Sequence, residues 1–71
     1  MKFKIDIVVK DGYRVEDLPN VPKGSEFYNK HPNGSICQYY KYVGSMLQYY
    51  TTFGEWSKSN NKEMTLFKIK F

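Results

Sequence analysis

Phe3, Ile5, Ile7 and Val9 alternate with Lys2, Lys4 and Asp6, the period of two that marks a strand with one buried face; Val8 is the one apolar residue on the polar side. A stronger pattern lies further on. Gln38 to Met46 reads Gln-Tyr-Tyr-Lys-Tyr-Val-Gly-Ser-Met, and the same Gln-Tyr-Tyr-x-x-apolar-Gly-polar-apolar phrase returns at Gln48 to Trp56. Tyr and Phe suit a pleated, half-buried surface, and Gly before a polar residue meets the φ > 0 requirement of a two-residue hairpin loop. The phrase therefore predicts a β-meander.

Its register follows from the turn. With Gly44-Ser45 as the loop, Val43 faces Met46, Tyr42 faces Leu47, Tyr40 faces Tyr49, Tyr39 faces Tyr50 and Ile36 faces Phe53. One face collects Ile36, Tyr40, Tyr42, Leu47, Tyr49 and Phe53, and is expected to be the core. The other carries Cys37, Tyr39, Lys41, Gln48, Tyr50 and Thr52, with Val43 and Met46 at the turn end. A slip of one residue would set Lys41 against the apolar set, so the hydrophobic pattern favours this pairing. A second two-residue turn at Gly54-Glu55 would pair Phe53 with Trp56 and bring Trp56 onto the core face.

The segment between the first strand and the meander is irregular. Asp11-Gly12 reads as a hairpin turn into a short strand at Tyr13 to Val15. Leu18-Pro19 and Val21-Pro22 discourage helix, while Ser25 as an N-cap and Pro32 as an exit allow one short helix over 25-30. Asn33-Gly34 marks the entry to the meander. At the far end Thr65, Phe67, Ile69 and Phe71 alternate with Lys68 and Lys70, echoing the first strand, and the two terminal strands are expected to pair antiparallel. The chain reads as a single domain over 1-71, mainly β: a small antiparallel sheet of about five strands, curled or partly closed into an SH3-like or OB-like barrel. An open sheet with the short helix on one face is the alternative.

At 71 residues the core must be small, and the 18% of aromatic residues are its chief source of buried area. A single cysteine excludes an intrachain disulfide and a cysteine-rich metal cluster, which fits a reducing compartment. The N-terminus lacks the apolar run of a signal peptide and nothing approaches the ~20 apolar residues of a membrane span, so a cytoplasmic protein that does not enter membranes is expected. The net charge of +4 rests on lysines, with Arg14 the one arginine, so base reading through arginine forks is poorly supported. Lys2, Lys4, Lys68 and Lys70 would gather on one solvent face if the terminal strands paired. They read first as solubilising charges that oppose edge-to-edge association, and second as a phosphate-binding patch.

Catalytic chemistry finds little footing. His31 and Cys37 are the only histidine and thiol, and read as a loop residue and a small strand hydrophobe rather than as base and nucleophile. Glu16-Asp17 reads as solvated charge, and no Gly-rich phosphate loop occurs. We expect no enzyme activity, no metal and no cofactor. The residues to watch are Tyr39, Lys41, Gln48 and Tyr50, which share the partly polar face and combine aromatic area with hydrogen-bonding and cationic groups. The expected function is macromolecular binding, a protein partner before a nucleic acid. A small chain without a catalytic set resembles, in style, the compact accessory inhibitors encoded by phages and other mobile elements. The alternative is a single-stranded nucleic-acid-binding β domain using the surface tyrosines and lysines. Self-association into a homodimer through a sheet edge is a further expectation.

Overall fold

The computed structural model describes residues 6–71, so the part of the first strand that carries Lys2, Phe3, Lys4 and Ile5 lies outside the described residues. The chain forms β1 (Asp6–Arg14), a 3-10 turn (Val15–Asp17), β2 (Phe27–Lys30), β3 (Ile36–Val43), β4 (Met46–Tyr50), β5 (Trp56–Lys58) and β6 (Glu63–Lys70). These strands make one six-stranded sheet in the order β1-β6-β2-β3-β4-β5, open rather than closed into a barrel.

The meander is where sequence and structure agree best. The β3–β4 ladder pairs Val43 with Met46, Tyr42 with Leu47 and Tyr40 with Tyr49, around Gly44 at φ 61°. β2, β3, β4 and β5 are antiparallel neighbours throughout. Asn33-Gly34 turns the chain from β2 into β3: His31 N–H donates to the Ser35 carbonyl at 2.8 Å, and Asn33 Oδ1 accepts from the Ser35 N–H and hydroxyl at 3.0 and 2.7 Å.

Four expectations are corrected. The terminal strands pair parallel, Asp6 opposite Glu63 through Asp11 opposite Lys68, so the sheet is mixed. Asp11-Gly12 is not a turn, because β1 runs straight through it with a bulge between Asp11 and Arg14. Gly12 is required there by space: a Cβ would lie 2.8 Å from the Lys68 carbonyl oxygen and from the Tyr28 ring and hydroxyl. No helix forms over 25-30. Ser25 Oγ donates to the Pro22 carbonyl at 2.7 Å instead of capping, and Phe27 and Tyr28 are hydrogen-bonded into ladders on both sides, with β3 and with β6. Two flanking strands outweigh the weak local preference for a single helical turn.

The fourth correction concerns the core face. Tyr40 and Leu47 are buried as expected, joining Leu66 in a cluster flanked by Ile7, Phe27, Tyr49 and Met64. Tyr42, however, is 38% exposed and Phe53 90% exposed. Ile36, beyond an irregularity in the β2–β3 pairing, packs against a second cluster of Leu18, Tyr28 and Ile69, which also gathers Val15, Val21, Tyr39 and Phe67. The irregular segment thus supplies Val15, Leu18 and Val21 as a lid over one end of the opposite sheet face. Small as it is, the domain has apolar clusters on both faces of its sheet.

Candidate functional site

The β3–β4–β5 end of that second face lies beyond the lid. Lys41 pairs with Gln48 and Gln48 with Lys58, so a polar row crosses all three strands. Two residues along each strand, on the same face by alternation, come Tyr39, Tyr50 and Trp56, with Tyr50 directly paired to Trp56. Val43 and Met46, 53% and 41% exposed, close the face at the Gly44-Ser45 tip.

Three of the four residues singled out from sequence, Lys41, Gln48 and Tyr50, sit together here, half-buried. Tyr50 and Trp56 meet edge to face, with ring centroids 5.2 Å apart and planes at 68°. Lys41 lays its Nζ 4.6 Å from the centre of the Trp56 ring, a cation–π contact that holds the ammonium above the aromatic pair. Its stem also passes Gly24, where an added Cβ would stand 3.9 Å from Lys41 Nζ.

Tyr39 occupies the boundary. The β3–β4 ladder ends at Tyr40–Tyr49, and the paired neighbour of Tyr39 is Tyr28 rather than Tyr50. Tyr39 packs against the Leu18–Tyr28–Ile69 cluster and its hydroxyl donates to the Pro19 carbonyl, tying the lid to the sheet. It still borders, with Tyr50, a shallow groove of about 450 Å³ that His31, Cys37, Thr51 and Thr52 also line. His31 and Cys37 share that groove, with no hydrogen bond between them among the described residues. No group of three or more His, Cys, Asp or Glu that could hold a metal occurs among the described residues.

Burial pushes the Tyr39 hydroxyl above its ordinary 10.0, with the neighbouring Tyr28 acting in the same direction. The neutral phenol is the form that the fold favours. Its contribution to stability is therefore complete below pH 10.0 and is lost as pH rises through the folded-state value, since the unfolded chain releases that proton first. Denaturation midpoints measured upward from pH 9 should fall with pH, and Tyr39→Phe should flatten that fall. An unchanged slope would place the Tyr39 hydroxyl in solvent.

Trp56 and Lys58 belong to this face and sequence reasoning placed neither there. The β4–β5 connection is a wider turn than Gly54-Glu55: Thr51 N–H donates to the Glu55 carbonyl at 2.7 Å, and Thr51 Oγ1 accepts from the Phe53 and Glu55 N–H groups at 3.2 Å. Thr52, Phe53 and Gly54, with Gly54 at φ 82°, make the loop. Trp56 consequently faces Tyr50 instead of Phe53, an odd shift in register that moves it from the core face to the opposite one. The signal that could have shown this is Thr51, a side chain that competes for backbone N–H groups at turns.

No helix is long and apolar enough to cross a membrane among the described residues. Comparison with protein-family models, curated proteins and solved structures finds no match to this chain.

Proposed function

We propose that the chain is a non-catalytic binding protein, an accessory or inhibitor module that engages a protein partner through the β3–β5 face. The observation that carries this reading is the pre-set cluster of Lys41, Tyr50 and Trp56, in which the lysine is held 4.6 Å from the indole centre and the two rings are packed edge to face. Rigid aromatic side chains supply contact area at little entropic cost, and those at the centre of an interface carry most of its energy. Gln48 and Lys58 provide a polar border and Val43 and Met46 an apolar one.

Single-stranded nucleic acid is the second reading, supported by two lysines beside two rings. Protein ranks first because the Trp56 ring is engaged by Tyr50 on one side and by Lys41 on another, whereas base stacking needs ring faces free. Tyr50→Ala and Trp56→Ala should each cost about 1–3 kcal/mol of partner affinity, with the fold retained. The test is affinity capture from host lysate on the immobilised protein and on the Tyr50→Ala, Trp56→Ala pair, each with and without nuclease. Protein captured by the native chain alone, and surviving nuclease, fits the proposal. Capture that nuclease abolishes selects nucleic acid, and equal capture by both chains places the interface elsewhere.

A further inference from the structure

β1 is an edge strand of nine residues, paired with β6 on one side and with nothing on the other among the described residues. Edges of this length are ordinarily blunted, because their free N–H and C=O groups template pairing with another chain. Here the N-terminal half of the edge is apolar and uncovered: Val8 is 45% and Val9 50% exposed. The Asp6 N–H donates inward, to the Lys62 carbonyl at 2.6 Å. Parallel pairing alternates inward and outward residues, so Val8 and Lys10 also point their backbone groups at β6, while Ile7 and Val9 present theirs to the open edge.

We infer that this edge joins a second copy of the same chain, β1 against β1 antiparallel, about a two-fold axis at Val8. The sequence Asp6-Ile7-Val8-Val9-Lys10 is self-complementary in that register. Asp6 of each copy falls opposite Lys10 of the other, giving two opposite-charge cross-strand pairs. Ile7 falls opposite Val9 on both sides of the axis, and these outward-pointing residues exchange the ladder hydrogen bonds. Val8 meets Val8 at the axis as the close, non-hydrogen-bonded pair. A register slipped by two would lose both charge pairs, and a parallel arrangement would set like charge beside like charge. The product is one continuous sheet from two six-stranded ones, with the Lys41–Tyr50–Trp56 faces at its outer ends. This inference is independent of what those faces bind.

A junction of one strand pair is small, so sedimentation velocity should be run from roughly 10 μM to 1 mM, where weak association is visible. The native chain should dimerise. Asp6→Lys and Lys10→Asp should each raise the dissociation constant about tenfold or more, because each sets two like-charge pairs across the axis. An equimolar mixture of D6K and K10D should dimerise as tightly as the native chain, since the mixed pair restores both complementary contacts. Val9→Pro removes an outward N–H, a place where an edge strand tolerates proline, and should give a folded monomer by circular dichroism. A native chain that stays monomeric over the whole range overturns the inference. So does a dimer that D6K and K10D leave unchanged, or a mixture no tighter than either variant alone. Should Val9→Pro fail to fold, the charge-exchange mixture decides.

Discussion

Tyr28→Ala is expected to unfold most of the protein at physiological temperature. Tyr28 is fully buried, its ring stacks on Phe67 at 5.3 Å and on Tyr13 at 6.0 Å, and its hydroxyl accepts the Tyr13 N–H at 2.9 Å. It stands in the middle of the sheet, opposite Tyr39 on one side and Phe67 on the other. Removing it deletes the largest buried side chain of the lid-covered cluster and leaves a cavity beside Leu18 and Ile69. Aromatic truncation at such a site costs about 3–5 kcal/mol, which matches the whole stability of many small domains. Tyr28→Phe separates the ring from the hydroxyl: it keeps the packing and removes the acceptor of the part-buried Tyr13 N–H, for about 0.5–1.5 kcal/mol. Urea denaturation of the three proteins measures both. A loss below about 1 kcal/mol for Tyr28→Ala would mean that the lid does not close over this ring.

Gly12→Ala should cost about 1–3 kcal/mol, although it enlarges a strand residue by one methyl group. The methyl has nowhere to go. It would stand 2.8 Å from the Lys68 carbonyl oxygen, which is fixed in β6, and 2.8 Å from the Tyr28 ring, which is fixed in the core. Gly34 differs in cause: a Cβ there meets nothing within 4 Å, so the cost of Gly34→Ala is the backbone strain of its φ of 91° alone. A double-mutant cycle sharpens the point. Because the Gly12 methyl and the Tyr28 ring compete for one space, Gly12→Ala with Tyr28→Ala should cost less than the two single changes summed. Strict additivity would show that the clash is with β6 alone.

Gly12 also shows why parts of this fold were illegible in sequence. Asp-Gly is the commonest signal of a tight hairpin, yet here the glycine serves a tyrosine sixteen positions later, and nothing local announces that contact. Gly44 was readable because its reason is local: a two-residue loop needs φ > 0, and Val43, Met46, Tyr42 and Leu47 follow from it by counting. Phe27 to Lys30 misled because Ser25 and Pro32 frame a plausible helical turn, while its actual partners, β3 and β6, are remote in sequence. Parallel pairing of β1 with β6 left the same alternating pattern that antiparallel pairing would have left, so periodicity could not tell them apart. At the candidate face, Lys41, Gln48 and Tyr50 were legible from the Gly44-Ser45 register. Trp56 was not, because its placement depends on whether Thr51 or Phe53 ends the strand, and only the Thr51 hydroxyl decides it.

The parallel pairing of β1 with β6 has a temporal consequence. The β2–β5 meander joins near neighbours and can assemble by closing short loops, whereas β1 finds its partner only after all four of those strands have intervened. Contacts of such separation are formed late and slow the approach to the native state. During synthesis β1 emerges before β6 and must wait for it, with Val8 and Val9 uncovered on both faces of an unpaired strand. In that interval the nascent chain is at its most vulnerable to capture by a neighbouring ribosome's product, and a chaperone that shields β1 would act on yield rather than on the finished fold.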